Sequence, residues 1–564
     1  MALQYNGQTF MTDEDLKVKI LGFFPNVPIN NHELLKIFQH EMGRDFLGGD
    51  ELVAYAQPLV SRGMDFGAFE AELLADIQNP QKPGLKEIIF KKISTGIGRG
   101  HSLGGLSGVV LGIHGTKMID SGLTGLVASR SLVTSSRRRE TTVEEIVIPT
   151  ALIGKDELLK EYLALSKEVL SLAEQFKERF KGVDAIQTFN KTIPYNNPAD
   201  LFIVLPLDTL ATLAFEVQQD KENPNGNFVP RELHTLVDVL NDITRQTGIN
   251  VMYGQRTRVP RDTYLHYTVF KDPSIKGTAL EEAEIRGMPL MPIVIESSIR
   301  PSSGFNAGLQ KLIELSDTNM GIQDPKELAK RAMQFMLEMR SFVGAYNENA
   351  RVKVLDSLSW RVWSEQKRHA TLRQDVESVY SAVARASEKI EELWPEIEAR
   401  YAGHSASSPA DFNPLLEQLR EAIVIDKRME KAPELLAPYI FYTAKQLRLF
   451  QRLVDEGIES RDALFIAPKN IRVRTAEHYD LGNLIALEYP LRLCNECEPE
   501  RQETSWQKRE VIAQAIPELS PLLFPKCLAG FCTEGNYCRH LTARRKTPYT
   551  LELHRATKKA MLEL

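Results

Sequence analysis

Apolar positions recur with a helical period at two widely separated places in the chain. From Asp156 onward, Leu158, Tyr162, Leu165 and Val169 fall at i, i+4, i+7 and i+11, one stripe along a long amphipathic helix. Val376, Tyr380, Val383, Ile390 and Leu393 draw a second stripe. Each stripe follows a basic loop, Arg137-Arg138-Arg139 in the first case and Lys367-Arg368-His369 in the second. Downstream of each lies an Asp, an apolar run and a Pro six residues on: Asp200 to Pro206 and Asp462 to Pro468. Agreement in order as well as spacing predicts an internal repeat, with both segments read as buried strands bounded by proline.

The rest of the pattern is less regular. Asp13 and Asn31 stand where helix caps belong, so residues 1–85 read as an N-terminal helical segment. The apolar, glycine-rich run Leu103 to Ile113 is about half the length needed to cross a bilayer, which makes it a buried element. Between 256 and 304 five prolines break up short apolar runs such as Met291 to Ile295, a strand-and-linker pattern, and the small polar run 402–409 reads as a loop. The expected fold class is α+β. Residues 86–310 form a first unit with its linker, 311–525 a second, and a cysteine-rich module over 494–545 overlaps the end of the second.

Composition changes this picture little. A chain of 564 residues, 43% hydrophobic and 26% charged, is an ordinary globular sequence long enough for several domains. The net charge of -6 offers no global argument for nucleic acid, leaving Arg137–Arg139 and Arg544-Arg545-Lys546 as local phosphate-binding candidates. The first ten residues have neither a basic nor an apolar signal region, so the expected location is cytoplasmic, with no membrane association.

All five cysteines lie between 494 and 538. In a reducing compartment thiols so grouped serve as metal ligands more often than as disulfides. Cys494-x2-Cys497 is a knuckle spacing, and Cys527, Cys532, Cys538 and His540 are the further candidate donors. The residues alone leave a structural zinc, a [4Fe–4S] cluster and unmetallated thiols all open. The glycines at 96, 98 and 100 match neither a Walker loop nor a dinucleotide fingerprint.

Upstream of the cysteines, Leu453 to Ile458, Asp462 to Pro468, Asp480-Leu-Gly-Asn-Leu-Ile485 and Leu491-Arg-Leu493 follow one another in a recognisable order. That order resembles the flavin-dependent thymidylate synthases of the ThyX type. In that family a V-x-x-G-I turn, a strand ending in Pro and an N-L-R-x-L helix lead to an L-R-L element whose Arg contacts the nucleotide. The resemblance makes Arg492 the nucleotide-binding candidate. Gly100-His101-Ser102, Gly112-Ile113 and Arg130 to Arg139 look like an eroded form of the family's G-H-x-S entry and R-H-R-x7-S flavin loop. The second copy keeps Arg368, His369 and Ser378, with Ala370 in place of the last Arg.

The resemblance therefore implies His101, Arg130, Arg368, His369 and Ser378 as cofactor-binding candidates, and leaves the catalytic residues unassigned. Ser378 also reads as a helix cap. The implied cofactor is FAD, with methylenetetrahydrofolate and NADPH as co-reactants if the chain is catalytic. The implied substrate is a dUMP-like uracil nucleotide. Family members are homotetramers, so a tandem copy implies a homodimer forming a pseudo-tetramer. Because neither flavin loop is complete, two other readings stand beside the enzyme: a catalytically degenerate protein that binds nucleotide or nucleic acid and is braced by its metal site, and a flavoenzyme acting on uracil within a polynucleotide.

Overall fold

The computed structural model describes residues 3–49, 51–52, 68–81, 84–85, 87–88, 108–116, 118–119, 146–179, 191–247, 269–274, 280–281, 290–366, 371–402, 413–426, 429, 432–534 and 538–564. The chain divides into two compact units. The first comprises Met1–Ile275, Ser378–Ala422 and Lys427–Ile471; the second comprises Lys276–Glu377, Ile423–Asp426 and Arg472–Leu564. The two units interleave along the chain, and the second amphipathic helix belongs to the first.

In the first unit the strands are β1 (Leu3–Tyr5), β2 (Gln8–Thr12), β3 (Lys17–Phe24), β4 (Val27–Pro28), β5 (Phe46–Leu47), β6 (Gly108–Thr116), β7 (Val147–Ile148) and β8 (Pro198–Pro206). The core sheet is antiparallel in the order β3-β6-β8, with Val110 opposite Val204 and Leu111 opposite Ile203. Its apolar face, including Leu111, Ile203 and Leu205, packs on Leu213 and Leu236 of the following helices. The run around Leu103–Ile113 is thus a central strand over its described part. Among the described residues of 1–85 there are five strands besides the helices His32–Met42 and Ala68–Gln78, so the segment is mixed rather than purely helical. Asn31 does cap its helix, accepting from the N–H groups of Glu33 and Leu34. Asp13 caps nothing and instead accepts from Thr150 N–H at 2.7 Å.

Three long helices share this unit: Asp156–Arg179, Val379–Tyr401 and Pro433–Asp455. Both sequence stripes are buried as expected, with Tyr162, Val169, Val383 and Ile390 fully sealed.

The second unit is built on β9 (Ile293–Ile299), β10 (Ala350–Ser359), β11 (Arg373–Val376) and β12 (Arg472–Asp480), antiparallel in the order β11-β12-β10-β9. The helices Ser303–Asn319, Pro325–Tyr346 and Pro499–Ala515 cover it, and Leu312, Phe335, Val352, Leu484 and Ile512 meet in one core. The fold class is α+β. In each unit three strands taken in chain order, though not consecutive, lie with the second in the middle, β3-β6-β8 and β9-β10-β12, and a helix begins directly after the third, at Leu207 and at Leu481. The Asp-x5-Pro match does not mark that likeness. Asp200–Pro206 is a strand, whereas 462–468 runs through the helical turns Ser460–Ala463 and Leu464–Ile466. By strand order, Pro206 corresponds to Asp480. Among the described residues no helix is long and apolar enough to cross a membrane.

Candidate nucleotide site and cysteine centre

β12 ends at Asp480, whose carboxylate caps the next helix by accepting from Asn483 N–H at 2.8 Å. This fixes Asn483 so that its amide donates to Thr371 O at 2.9 Å and to Asp480 Oδ1 at 3.0 Å. One turn on, Arg492 closes the helix Glu488–Arg492, donating from Nε to Glu488 Oε1 at 2.5 Å and from Nη2 to Gln366 O at 3.2 Å. Gln366 and Thr371 are the residues on either side of 367–370. Arg492 and Asn483 thus hold Gln366 and Thr371, the described residues that flank 367–370. Arg492 is only 9% exposed, so its guanidinium is committed first to Glu488 and to this backbone.

His101, Arg130, Arg368 and His369 lie outside the described residues. Ser378 is buried at the start of the Val379–Tyr401 helix, where it makes no capping bond; its hydroxyl donates to Lys271 O at 2.6 Å. In the basic cluster at 544–546, Lys546 is exposed, while Arg544 is half-buried and Arg545 is buried. Arg544 lies 3.9 Å over the Phe524 ring, and Arg545 Nη1 donates to Gly530 O at 2.6 Å.

Beneath the Arg492 segment is a group the sequence did not disclose. Arg501 reaches Asp356 Oδ2 at 3.2 Å and Glu477 Oε1 at 3.0 Å, while Lys508 Nζ lies 2.6 Å from Asp356 Oδ2 and also bonds Glu477. All four side chains are sealed from solvent. Tyr479 and Gln366 add donors to Glu477. Burial opposes the Glu477 charge, but Arg501 and Lys508 more than offset it and hold its carboxyl well below the usual range. Asp356 moves the other way, raised by burial with the Glu477 charge alongside. Two cations and two carboxylates, drawn from β10, β12 and the Pro499–Ala515 helix, tie those elements together. A helix period with Arg501 and Lys508 seven apart was the only sequence signal, and charged residues ordinarily read as surface.

The cysteines are all free. Cys494, Cys527 and Cys532 are buried, and Cys538 packs against the same core. Burial pushes the Cys494, Cys527 and Cys532 thiols up, that of Cys527 to about 12. Burial pushes the Cys497 thiol up too, against the pull of the Arg492 and Arg501 guanidinium groups nearby. The His540 ring lies against Trp506, centroids 5.5 Å apart, and burial with Arg544 nearby lowers its pKa. Among the described residues no three His, Cys, Asp or Glu side chains are grouped as the ligands of a single metal ion.

No family model matches the chain. Three relatives do, all flavin-dependent thymidylate synthases. That of Pyrococcus horikoshii is 29% identical over 124 residues, covering 21% of this chain and 50% of that protein. That of Pyrococcus furiosus is 27% identical over 122 residues, covering 22% and 49%. That of Thermococcus kodakarensis is 32% identical over 125 residues, covering 21% and 50%. The chain is similar to the flavin-dependent thymidylate synthases. It spans about half the length of these relatives. Two crystal structures of the Helicobacter pylori enzyme, each with FAD and dUMP, align at 15% and 17% identity over 41% of this chain and 97% and 96% of theirs. Their TM-scores are 0.25 and 0.24, too low to transfer any residue position.

Proposed function

We propose that this chain is a flavoprotein that binds a uracil nucleotide of the dUMP type and modifies it reductively, using FAD with methylenetetrahydrofolate and NADPH as co-reactants. The observation that carries this reading is the pairing of Arg492 and Asn483 with the two shoulders of 367–370. It joins the segment that resembles the family's nucleotide element to the one that resembles its flavin loop, within one unit.

The residues present fit such ligands. Asn483 Oδ1 and Gln366 Oε1 are buried without a hydrogen-bond partner, as acceptors suited to a uracil N3–H. Arg368 and His369, which the family likeness assigns to the flavin, would supply cationic donors for phosphate, and Arg492 would hold the Gln366 backbone beside them. Bound flavin would supply the redox chemistry, and the chain's part is to bind, orient and exclude water. Asn483 would hold the backbone at Thr371, and Glu488 would hold the Arg492 guanidinium in place. The units would assemble as a homodimer, two similar units per chain giving four.

The test is turnover. Purified protein should carry flavin absorbance and convert dUMP to dTMP when given methylenetetrahydrofolate and NADPH. Protein that neither retains nor takes up FAD would sink this reading and leave the nucleotide- or nucleic-acid-binding protein in its place.

A further inference from the structure

Within the first unit the internal likeness is also carried by individual side chains. Thr192 and Ile466 each precede a Pro by two residues, an Asn by four and the first residue of a strand by six. Pro194 and Pro468 pair as an antiparallel bridge, and one amide, Gln446 Nε2, donates to both Thr192 O and Ile466 O at 3.3 Å. On the long helices Tyr162-x3-Ser166 answers Tyr439-x3-Thr443. Each hydroxyl accepts from the Asn of the matching loop, Ser166 from Asn196 at 2.8 Å and Thr443 from Asn470 at 3.0 Å.

The Asp156–Arg179 and Pro433–Asp455 helices are therefore counterparts, and they lie antiparallel. Arg179 Nε donates to Glu434 Oε1 at 2.9 Å at one end, Lys445 Nζ lies 2.7 Å from Glu168 Oε2 in the middle, and Arg452 pairs with Glu161 at the other end. Glu168 and Lys445 each stand two residues beyond the matched hydroxyls of Ser166 and Thr443. A residue that pairs with its own counterpart lies on a two-fold axis. An approximate axis thus runs from Glu168–Lys445 at the surface, past the buried Gln446, to the Pro194–Pro468 bridge.

At the surface this axis opens on a groove of about 660 Å3 between three helices of the unit. Ala164 is exposed there, and Trp394 and Phe441 are half-buried. Trp394 and Phe441 stack with centroids 5.8 Å apart, and the Arg448 guanidinium lies 4.1 Å over the Trp394 ring. Aromatic residues and Arg are the types that protein interfaces concentrate. Charge differs across the axis: the Pro433–Asp455 helix presents Lys445, Arg448 and Arg452, with Asp455 at its end, while its counterpart presents Glu161 and Glu168.

We propose that this face docks a second copy of the chain, with the Pro433–Asp455 helix of each protomer lying on the Asp156–Arg179 helix of its partner.

A face centred on a two-fold axis can meet its own copy and close, because every contact is then made twice. It can do so in two ways. Like helix on like helix would set the three cations against themselves, whereas helix on counterpart sets Arg452 and Lys445 level with the partner's acidic row. Each cation then lies between its own glutamate and one from the other protomer. A uniformly acidic or basic partner would match only half of the face, which is why a second copy is the occupant that fits.

The proposal gives a surface to the homodimer of the functional reading, and its test reads mass alone, so failure of flavin binding and failure of this interface are separate outcomes. Full-length protein at micromolar concentration should sediment as a dimer. Ala164→Arg, at an exposed position, and Trp394→Ala should each raise the dimer dissociation constant at least about tenfold. A monomer, which would leave the face to some other partner, or a dimer that Ala164→Arg leaves intact, would overturn the proposal. If Trp394→Ala fails to fold, the mass of the unmodified protein and of Ala164→Arg still decides.

Discussion

Arg501 Nη2 lies 3.0 Å from Glu477 Oε1, and neither side chain has appreciable contact with solvent. With Lys508 and Asp356 they form a balanced group that joins three elements of the second unit. Removing one cation leaves a buried carboxylate uncompensated. Lys508→Met should therefore destabilise the unit by about 3–5 kcal/mol, and adding Glu477→Gln should recover part of that loss. Denaturant unfolding followed through the second unit measures it. A change under about 1 kcal/mol would mean the group is not sealed.

Glu232 sets a pH dependence of opposite sign to that of a salt-bridged acid. Burial pushes its carboxyl from an ordinary 4.5 to about 8, although Thr116 donates to it from both N–H and hydroxyl. The fold keeps a proton that the unfolded chain releases above its ordinary value. The stabilising contribution is complete below about pH 4.5 and is lost as pH rises toward about 8. Melting temperature should fall more between pH 5 and pH 8 in the wild type than in Glu232→Gln. Equal falls would show that Glu232 does not titrate there.

Gly530→Ala tests the cysteine turn without touching a thiol. The positive φ and the Asn319 backbone both oppose a Cβ, so the substitution should cost at least about 1 kcal/mol in denaturant unfolding. A variant with wild-type stability would show that the turn tolerates a side chain at 530.

What the sequence disclosed depended on whether the signal was local. The stripes through Tyr162 and Val383 and the Asn31 cap were legible because each is written within a few turns of one helix. The strands Gln8–Thr12 and Lys17–Phe24 were hidden by a capping pattern at Asp13, whose carboxylate is bound by Thr150 far along the chain. The Asp200 and Asp462 segments share a spacing and not a conformation, because tertiary packing decides between strand and turn for short apolar runs. The cysteine window was plain in the sequence, whereas the Gly530 turn between Cys527 and Cys532 packs on Asn319, far away in the chain, and no local pattern announces it. The Asp356–Glu477–Arg501–Lys508 group was invisible, since its members lie on a strand pair and a helix and none carries an apolar pattern.

The nucleotide reading turns on Asn483, whose amide holds Thr371 and whose Oδ1 is an unpaired buried acceptor. The most direct measurement is titration of FAD-loaded protein with dUMP, followed by the flavin absorbance spectrum. The account predicts a saturable spectral change, weakened roughly tenfold, or about 1.4 kcal/mol, in Asn483→Ala. A flavin spectrum unaltered by dUMP at any concentration would contradict it.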